Sequence, residues 1–290
     1  MRKILITGID SYVGTNVQTY LNQWPEKYQI KSIDMRDAKW READFSEFDV
    51  IFHVAGIAHS DNGKISPEKE KLYRSVNTDL TIETAKKAKL EGVKQFIFMS
   101  SAIIYGDSAP MGKTKIVTRD TIPTPNNCYS DSKWQAELGL KEIASDEFKI
   151  CVLRPPMIYG KGSKGNYPVL SKFAQKLPIF PKVNNTRSML YIENLCEFIR
   201  LMIDNEESGI FWPQNKEYSN TTEIVQMIAD VHGKKMRVTS AFNFGLYILR
   251  IGIGLVDKAF GSLSYEQSMS EYKEDYRLVN LKDSIIKTER

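Results

Sequence analysis

The chain has 290 residues, enough to bury one large core or two smaller ones. Its 40 basic and 36 acidic residues leave a formal charge of +4, a surplus too small to point to nucleic acid or a polybasic membrane patch. The three cysteines, Cys128, Cys151 and Cys196, lack metal-ligand spacing, so no metal site is expected and reduced thiols in a cytoplasm are.

Met1-Arg2-Lys3 runs directly into the strand-like run Lys3–Thr7, so no secretory leader is expected, and the run has the apolar character of a strand buried on both faces of a parallel sheet. It enters Gly8-Ile9-Asp10-Ser11-Tyr12-Val13-Gly14 and then a helical pattern through Val17, Tyr20 and Leu21. Strand, glycine turn and helix is the setting in which a loop holds a pyrophosphate at a helix N-terminus. A plain tight turn is the competing reading. Ser11 stands where another glycine would be expected, and its hydroxyl could donate to a phosphate.

Gln29–Ile33 predicts a second strand, ending at Asp34. A carboxylate about 20 residues after the glycine loop is placed for the adenosine ribose hydroxyls and repels a 2′-phosphate, which favours NAD. Arg36 would instead welcome that phosphate, so NADP stays open. Asp49–Ala55 predicts a third strand, followed by the small-residue loop Ala55-Gly56-Ile57-Ala58-His59. His59 reads as structural sooner than catalytic.

Tyr73–Leu90 reads as a long helix ended by Gly92, with Asn77 beside its apolar stripe, and Gln95–Met99 as the fourth strand running into Ser100-Ser101. Alternating strands and helices predict an α/β fold, a doubly wound parallel sheet that binds ligands off the carboxyl ends of its strands. Gly8, Asp34, Gly56 and Ser101 all fall at those ends. Tyr129 and Lys133 then follow at the head of a helical pattern, Lys133–Ile143. Four residues apart they share a helix face, where the ammonium would lower the phenol pKa and make an acid/base usable near neutral pH.

Taken in order, Thr7-Gly8 to Gly14, Asp34, Ala55-Gly56, Asn77, Ser100-Ser101-Ala102-Ile103-Ile104-Tyr105-Gly106, Tyr129/Lys133 and Leu153-Arg154-Pro155-Pro156-Met157-Ile158-Tyr159-Gly160 resemble the extended short-chain dehydrogenase/reductases, in the NAD-dependent epimerase/dehydratase branch acting on nucleotide sugars. The likeness covers the first two thirds of the chain. It implies a Rossmann domain over residues 1–157 and a smaller C-terminal substrate lobe over 158–290, with roughly 187–204 packing back on the first domain. It casts Ser101 as the partner of the sugar oxygen, Tyr129 as acid/base and Lys133 as the residue that holds the nicotinamide ribose. Asn77 becomes a structural or relay residue. The cofactor set would be Gly8, Ser11, Tyr12, Val13, Gly14, Asp34, Arg36, Ala55 and Gly56 with Tyr129 and Lys133, and Asp44-Phe45 would meet the adenine. Asn166 and Arg187, with the lysines of Gly160–Asn166, would contact the diphosphate of a nucleotide-diphosphate sugar.

Within that resemblance the leading expectation is a UDP-sugar 4-epimerase; an NAD(P)H-dependent 4-keto-sugar reductase uses the same residues. A dehydratase should carry Asp-Glu after Ser101, where Ala102-Ile103 stands. A non-catalytic NAD(P)-binding regulator would be expected to have lost Tyr129 or Lys133. Farther on, Thr221–Val231 predicts a helix stopped by Gly233. Phe242–Phe260 is strongly apolar, yet its longest apolar tract, Phe242–Val256, is interrupted by Asn243 and Arg250 and is too short and too polar to span a bilayer. It is read as a core or subunit-packing element, the latter in a homodimer.

Overall fold

Six short runs rich in Ile, Val and Phe build the central sheet of the computed structural model, which describes residues 1–58, 66–243, 245 and 255–290. They are β1 (Arg2–Thr7), β2 (Tyr28–Ile33), β3 (Val50–His53), β4 (Gln95–Met99), β5 (Lys149–Leu153) and β6 (Gly209–Phe211). All pair in parallel, in the order β6-β5-β4-β3-β1-β2. The chain therefore winds outward in one direction from β1 to β2 and in the other from β3 onward. Between β1 and β3 lies the switch point at which such sheets bind ligands. β3 and β4 are buried at every position, which is why they read as continuous apolar runs without alternation.

Four helices of this unit bear on the site: α1 (Tyr12–Leu21), α2 (Pro67–Tyr73), α3 (Leu80–Leu90) and α4 (Cys128–Ile143). Leu5, Ile51, Phe96, Phe98, Ala136, Leu140 and Val152 share a single buried cluster from strands and helices. Each fully buried phenylalanine there contributes roughly 2–3 kcal/mol of transfer free energy. The helix expected from Tyr73 starts earlier, at Pro67, with Ser66 as its cap. It is also not uniformly α: Arg74–Asp79 is a π-turn carrying Asn77. The helix expected from Lys133 begins five residues sooner, because Asn127 and Ser130 form a reciprocal capping box. Tyr129 thus sits in a first helical turn.

The chain divides into two compact units, and neither is continuous in sequence. The first comprises residues 1–106, 122–155 and 195–213; the second comprises 107–121, 156–194 and 214–290. The sequence places the boundary after residue 157, with roughly 187–204 packing back on the first domain. The division instead falls after Pro155, gives 107–121 to the second unit and splits the stretch 187–204 at residue 195. The second unit is built from parallel two-stranded pairs, Met157–Tyr159 with Met189–Tyr191, Ile179–Pro181 with Arg237–Thr239, and Ile116–Val117 with Ser264–Tyr265. Helices Asn166–Lys176, Thr221–Val231 and Leu281–Glu289 pack among them. His59 and most of the apolar stretch 242–260 lie outside the described residues. No helix among the described residues is long and apolar enough to cross a membrane, and no cluster of His, Cys, Asp or Glu among them could hold a metal.

Candidate active site

The glycine turn leaves β1 with Gly8 at φ +89°, a backbone state that side chains resist. A Cβ there would also stand 2.9 Å from the Ala55 Cα, so the loops after β1 and β3 meet backbone to backbone. At Gly14 a Cβ would crowd Ser11 Oγ and come within 3.1 Å of Ile6 and Val54 side-chain carbons; its absence lets α1 lie close on the sheet. Ser11 has ordinary extended angles, φ −69° and ψ 138°, which require no glycine. Its oxygen serves as the helix cap, accepting from Gly14 N at 3.1 Å, which leaves the O–H free to donate to a phosphate as expected from sequence. The backbone N-terminus of α1, with Tyr12 and Val13 in its first turn, stays at the switch point.

Asp34 follows β2 directly, and Arg36 grips it through Nε at 2.9 Å and Nη2 at 2.5 Å. These hydrogen bonds hold the Asp34 carboxyl below the usual carboxylate range. The two readings of this pair therefore meet in one exposed ion pair. The adenine assignment is corrected at Phe45: its ring is fully buried, stacks on Trp40 at 6.5 Å and carries the Lys87 ammonium 4.9 Å from its centroid. Its backbone N–H donates to Glu91, so neither ring nor amide faces a ligand. Asp44 is exposed and accepts from Ser46 N and Oγ.

Tyr129, Ser101, Lys133 and Asn77 converge at the carboxyl ends of β3 and β4. The half-buried Tyr129 ring lies 6.1 Å from that of Tyr73. Burial pushes its phenol up to about 12, against a hydrogen bond from Ser101 that pulls it down. This corrects the expectation that Lys133 lowers it. The Lys133 Nζ instead donates to the Met99 carbonyl at 2.9 Å and sits over the Phe98 ring at 4.7 Å. Burial brings the ammonium itself down to about 8, with Glu137 one turn along opposing the drop. At neutral pH both groups thus hold their protons, and the lysine is the more acidic of the two.

Asn77 is fully buried and works as a clamp. Its Oδ1 accepts from Ile57 N at 2.9 Å, while Nδ2 donates to the Ile57 carbonyl at 3.1 Å and to Ser132 Oγ at 3.0 Å. Ser132 in turn donates to the Tyr129 carbonyl at 2.9 Å, and Thr78 Oγ1 donates to the Ser132 carbonyl at 2.7 Å. The π-turn widens the helix where these bonds are made, so Asn77 reaches both the Gly56 loop and α4. A Cβ on Gly56 would come 3.0 Å from Asn77 Oδ1 and 3.3 Å from Lys133 Nζ, leaving a cradle that only glycine keeps open.

Sequence reasoning missed a buried charge pair behind this surface. Arg154 Nε and Nη2 donate to Glu137 at 3.1 and 2.5 Å, and Nη1 donates to Tyr105 Oη at 2.6 Å. Trp212 Nε1 donates to the same hydroxyl at 2.8 Å, and Ser100 Oγ donates to Glu137. The visible signal was Glu137 four residues after Lys133; its partner is 17 residues away.

In the second unit, Asn166 is exposed at the first turn of its helix, after Gly165 at φ +93°. Arg187 is half-buried: its Nε donates to the Gly261 carbonyl at 2.8 Å, and burial lowers its guanidinium to about 10.

The donor set at the switch point fits a dinucleotide. A helix N-terminus lies at the glycine turn, a carboxylate ends β2, and a glycine cradle beside a buried ammonium follows β3. The chain matches the NAD dependent epimerase/dehydratase family over residues 4–212. It is 31% identical over 250 residues to a UDP-glucose 4-epimerase of Vibrio cholerae, covering 79% of this chain and 75% of that one. It is 29% identical over 255 residues to the N-acetyl-alpha-D-glucosaminyl-diphospho-ditrans,octacis-undecaprenol 4-epimerase of Escherichia coli O157:H7, covering 80% and 73%. Among solved structures, a UDP-glucuronic acid 4-epimerase from Bacillus cereus in complex with NAD superposes with a TM-score of 0.74 at 18% identity, over 99% of this chain and 95% of that one. The chain belongs to the NAD dependent epimerase/dehydratase family. Within it, the protein is an NAD-dependent enzyme of the nucleotide-sugar epimerase and oxidoreductase group.

Proposed function

We propose that the protein is a 4-epimerase of a UDP-linked hexose. The observation that carries this reading is the convergence of Tyr129, Ser101 and Lys133 on one rim of the sheet, with Ser101 near enough to the Tyr129 phenol to oppose the upward pull of burial on it. The relationship to a UDP-glucose 4-epimerase over three quarters of both chains supports the choice of substrate class.

In this reading the Tyr129 oxygen exchanges a proton with the sugar 4-hydroxyl, and Ser101 hydrogen-bonds that same oxygen. Lys133, its ammonium anchored on the Met99 carbonyl beside the Gly56 cradle, would hold the ribose hydroxyls next to the nicotinamide. Asn77 keeps the Gly56 loop and the first turn of α4 in register. When bound at the switch point, NAD would supply the hydride chemistry at C4, both acceptor and donor. The 4-keto sugar turns over between the two transfers, and Tyr129 gives back the proton on completion. The diphosphate falls to Asn166, Arg187 and the Gly160–Asn166 loop.

A one-way reductase of a 4-keto sugar is the second reading. It is favoured by a Tyr129 phenol raised to about 12, which suits a proton donor. A non-catalytic role is disfavoured because Tyr129 and Lys133 are both retained. The deciding experiment denatures the purified protein, assays released NAD(H), and incubates native protein with UDP-glucose and UDP-N-acetylglucosamine without added cofactor. Interconversion with the 4-epimer and no net redox change supports the epimerase. Consumption of added NADPH by a 4-keto sugar, with no interconversion, replaces it with the reductase.

A further inference from the structure

The near-neutral total charge conceals a segregation within the second unit. Residues 156–192 contain no Asp or Glu but six cations, although 36 acidic residues in 290 would place about five in such a stretch. The sequence 231–256 is likewise free of acidic residues. The fold joins the two runs: Ile179–Pro181 pairs with Arg237–Thr239, Lys182 N donates to the Thr239 carbonyl at 2.8 Å, and Asn243 Nδ2 donates to the Lys182 carbonyl at 2.8 Å.

The helix Asn166–Lys176 turns Tyr167, Leu170 and Ala174 inward and leaves a second apolar stripe outside. Val169, Phe173 and Leu177, at i, i+4 and i+8, share one outer face. With Ile179 and Phe242 they are 38–50% exposed. Lys172 and Lys176 flank the stripe on the helix; Arg237 lies on the paired strands with Lys182, Lys234 and Lys235 beside them, the Lys234 ammonium donating to the Gln175 carbonyl of the helix. The acid at hand, Glu289, is withdrawn: its side chain is 6% exposed and accepts from Ser171 at 2.8 Å, with His232 Nε2 at 2.7 Å.

We infer that this face docks on an anionic lipid surface. Exposed aromatic and aliphatic side chains set among cations, on segments whose own sequence carries no carboxylate to repel phosphate headgroups, are the chemistry of a peripheral membrane face. The preponderance of lysine distinguishes it from a protein interface, where arginine is favoured and lysine depleted. Lysine stems can lie along the apolar boundary while their ammonium groups remain among headgroups. Docking of this kind is reversible and needs no spanning helix.

The test is sedimentation of the full chain with vesicles of 30% phosphatidylglycerol in phosphatidylcholine, beside vesicles of phosphatidylcholine alone. Binding to the anionic vesicles at low salt, its release by 0.5 M NaCl, and little binding to neutral ones are expected. Replacing Lys172, Lys176 and Lys182 together by Gln should weaken binding by about fivefold per lysine, on the order of a hundredfold in all. Phe173→Ser should weaken it independently of salt. Circular dichroism and NAD binding check that the variants are folded. No binding to anionic vesicles, equal binding to neutral ones, or full binding by the triple variant would overturn the inference. A drop in solution mass of the triple variant without any lipid binding would assign the face to a second copy of the chain, and so also overturn it.

Discussion

Replacing Glu137 by Gln would unbalance the charge pair behind the candidate site while barely changing its shape. Arg154 and Glu137 have side chains only 5% and 4% exposed, so water cannot screen the guanidinium once its counter-charge is gone. Burial works against the Arg154 charge, and the Glu137 hydrogen bonds more than offset it, holding its pKa above the usual value. Removing one partner of such a pair costs about 3–5 kcal/mol, whereas removing both is often close to neutral. All four tryptophans, Trp24, Trp40, Trp134 and Trp212, belong to the first unit, so fluorescence-detected urea unfolding reads that unit alone. Glu137→Gln should lose about 3–5 kcal/mol in that assay. Adding Arg154→Met should restore more than half, because Tyr105 keeps its bond from Trp212 and the amide oxygen that replaces the carboxylate still accepts from Ser100. Glu137 also opposes the burial-driven drop of Lys133 from its ordinary value, so the pH midpoint of NAD binding on the alkaline side should move below about 8. A loss under about 1 kcal/mol, or a double variant no better than the single, refutes the reasoning.

Tyr129→Phe should reduce turnover by about 10²–10⁴ while NAD affinity, by fluorescence titration, changes little; near-full turnover sinks the acid/base assignment. Asp34→Ala releases Arg36 from its bidentate partner, so the NADP-to-NAD affinity ratio should rise. An unchanged ratio would remove Asp34 from cofactor choice. Burial lowers His53 to about 3, and its ring is held by Thr7 Oγ1 at 2.9 Å and Thr81 Oγ1 at 3.0 Å. The folded value lies below the unfolded one near 6.5, so the unfolded chain binds more protons between them. Stability should therefore fall as pH drops from about 6.5 toward about 3, by at most about 1.4 kcal/mol per unit from this group. His53→Gln should flatten that slope in urea titrations, and an unaltered slope would assign the loss elsewhere.

Gln95–Met99 and Thr221–Val231 were legible to the residue because each is an apolar pattern bounded by clear stop or cap signals. Gly8, Asp34, Gly56 and Ser101 were legible as a rim because strand ends can be counted. The π-turn at Asn77 was not, since it follows from bonds to Ile57 and Ser132, partners 20 and 55 residues away. Phe45 misled because its motif position says nothing about burial, which Trp40, Lys87 and Glu91 decide in space. The lysine's effect on the tyrosine was also out of reach: helix spacing puts Lys133 near Tyr129, but the Met99 carbonyl determines where the ammonium points.

The edge strand β6 has a consequence for the making of the protein. It pairs with Cys151, Val152 and Leu153 of β5, and Gln95 of β4 donates to the carbonyls of Met202 and Glu207 just before it. An N-terminal fragment that stops at residue 157, whether from interrupted synthesis or from proteolysis, would leave β5 as a bare edge of Ile150, Val152 and Leu153. Such an edge is a template for strand addition by another chain. During translation the sheet therefore cannot close until β6 has emerged, a long stretch of chain after β5, and quality control would meet its greatest aggregation hazard in that interval.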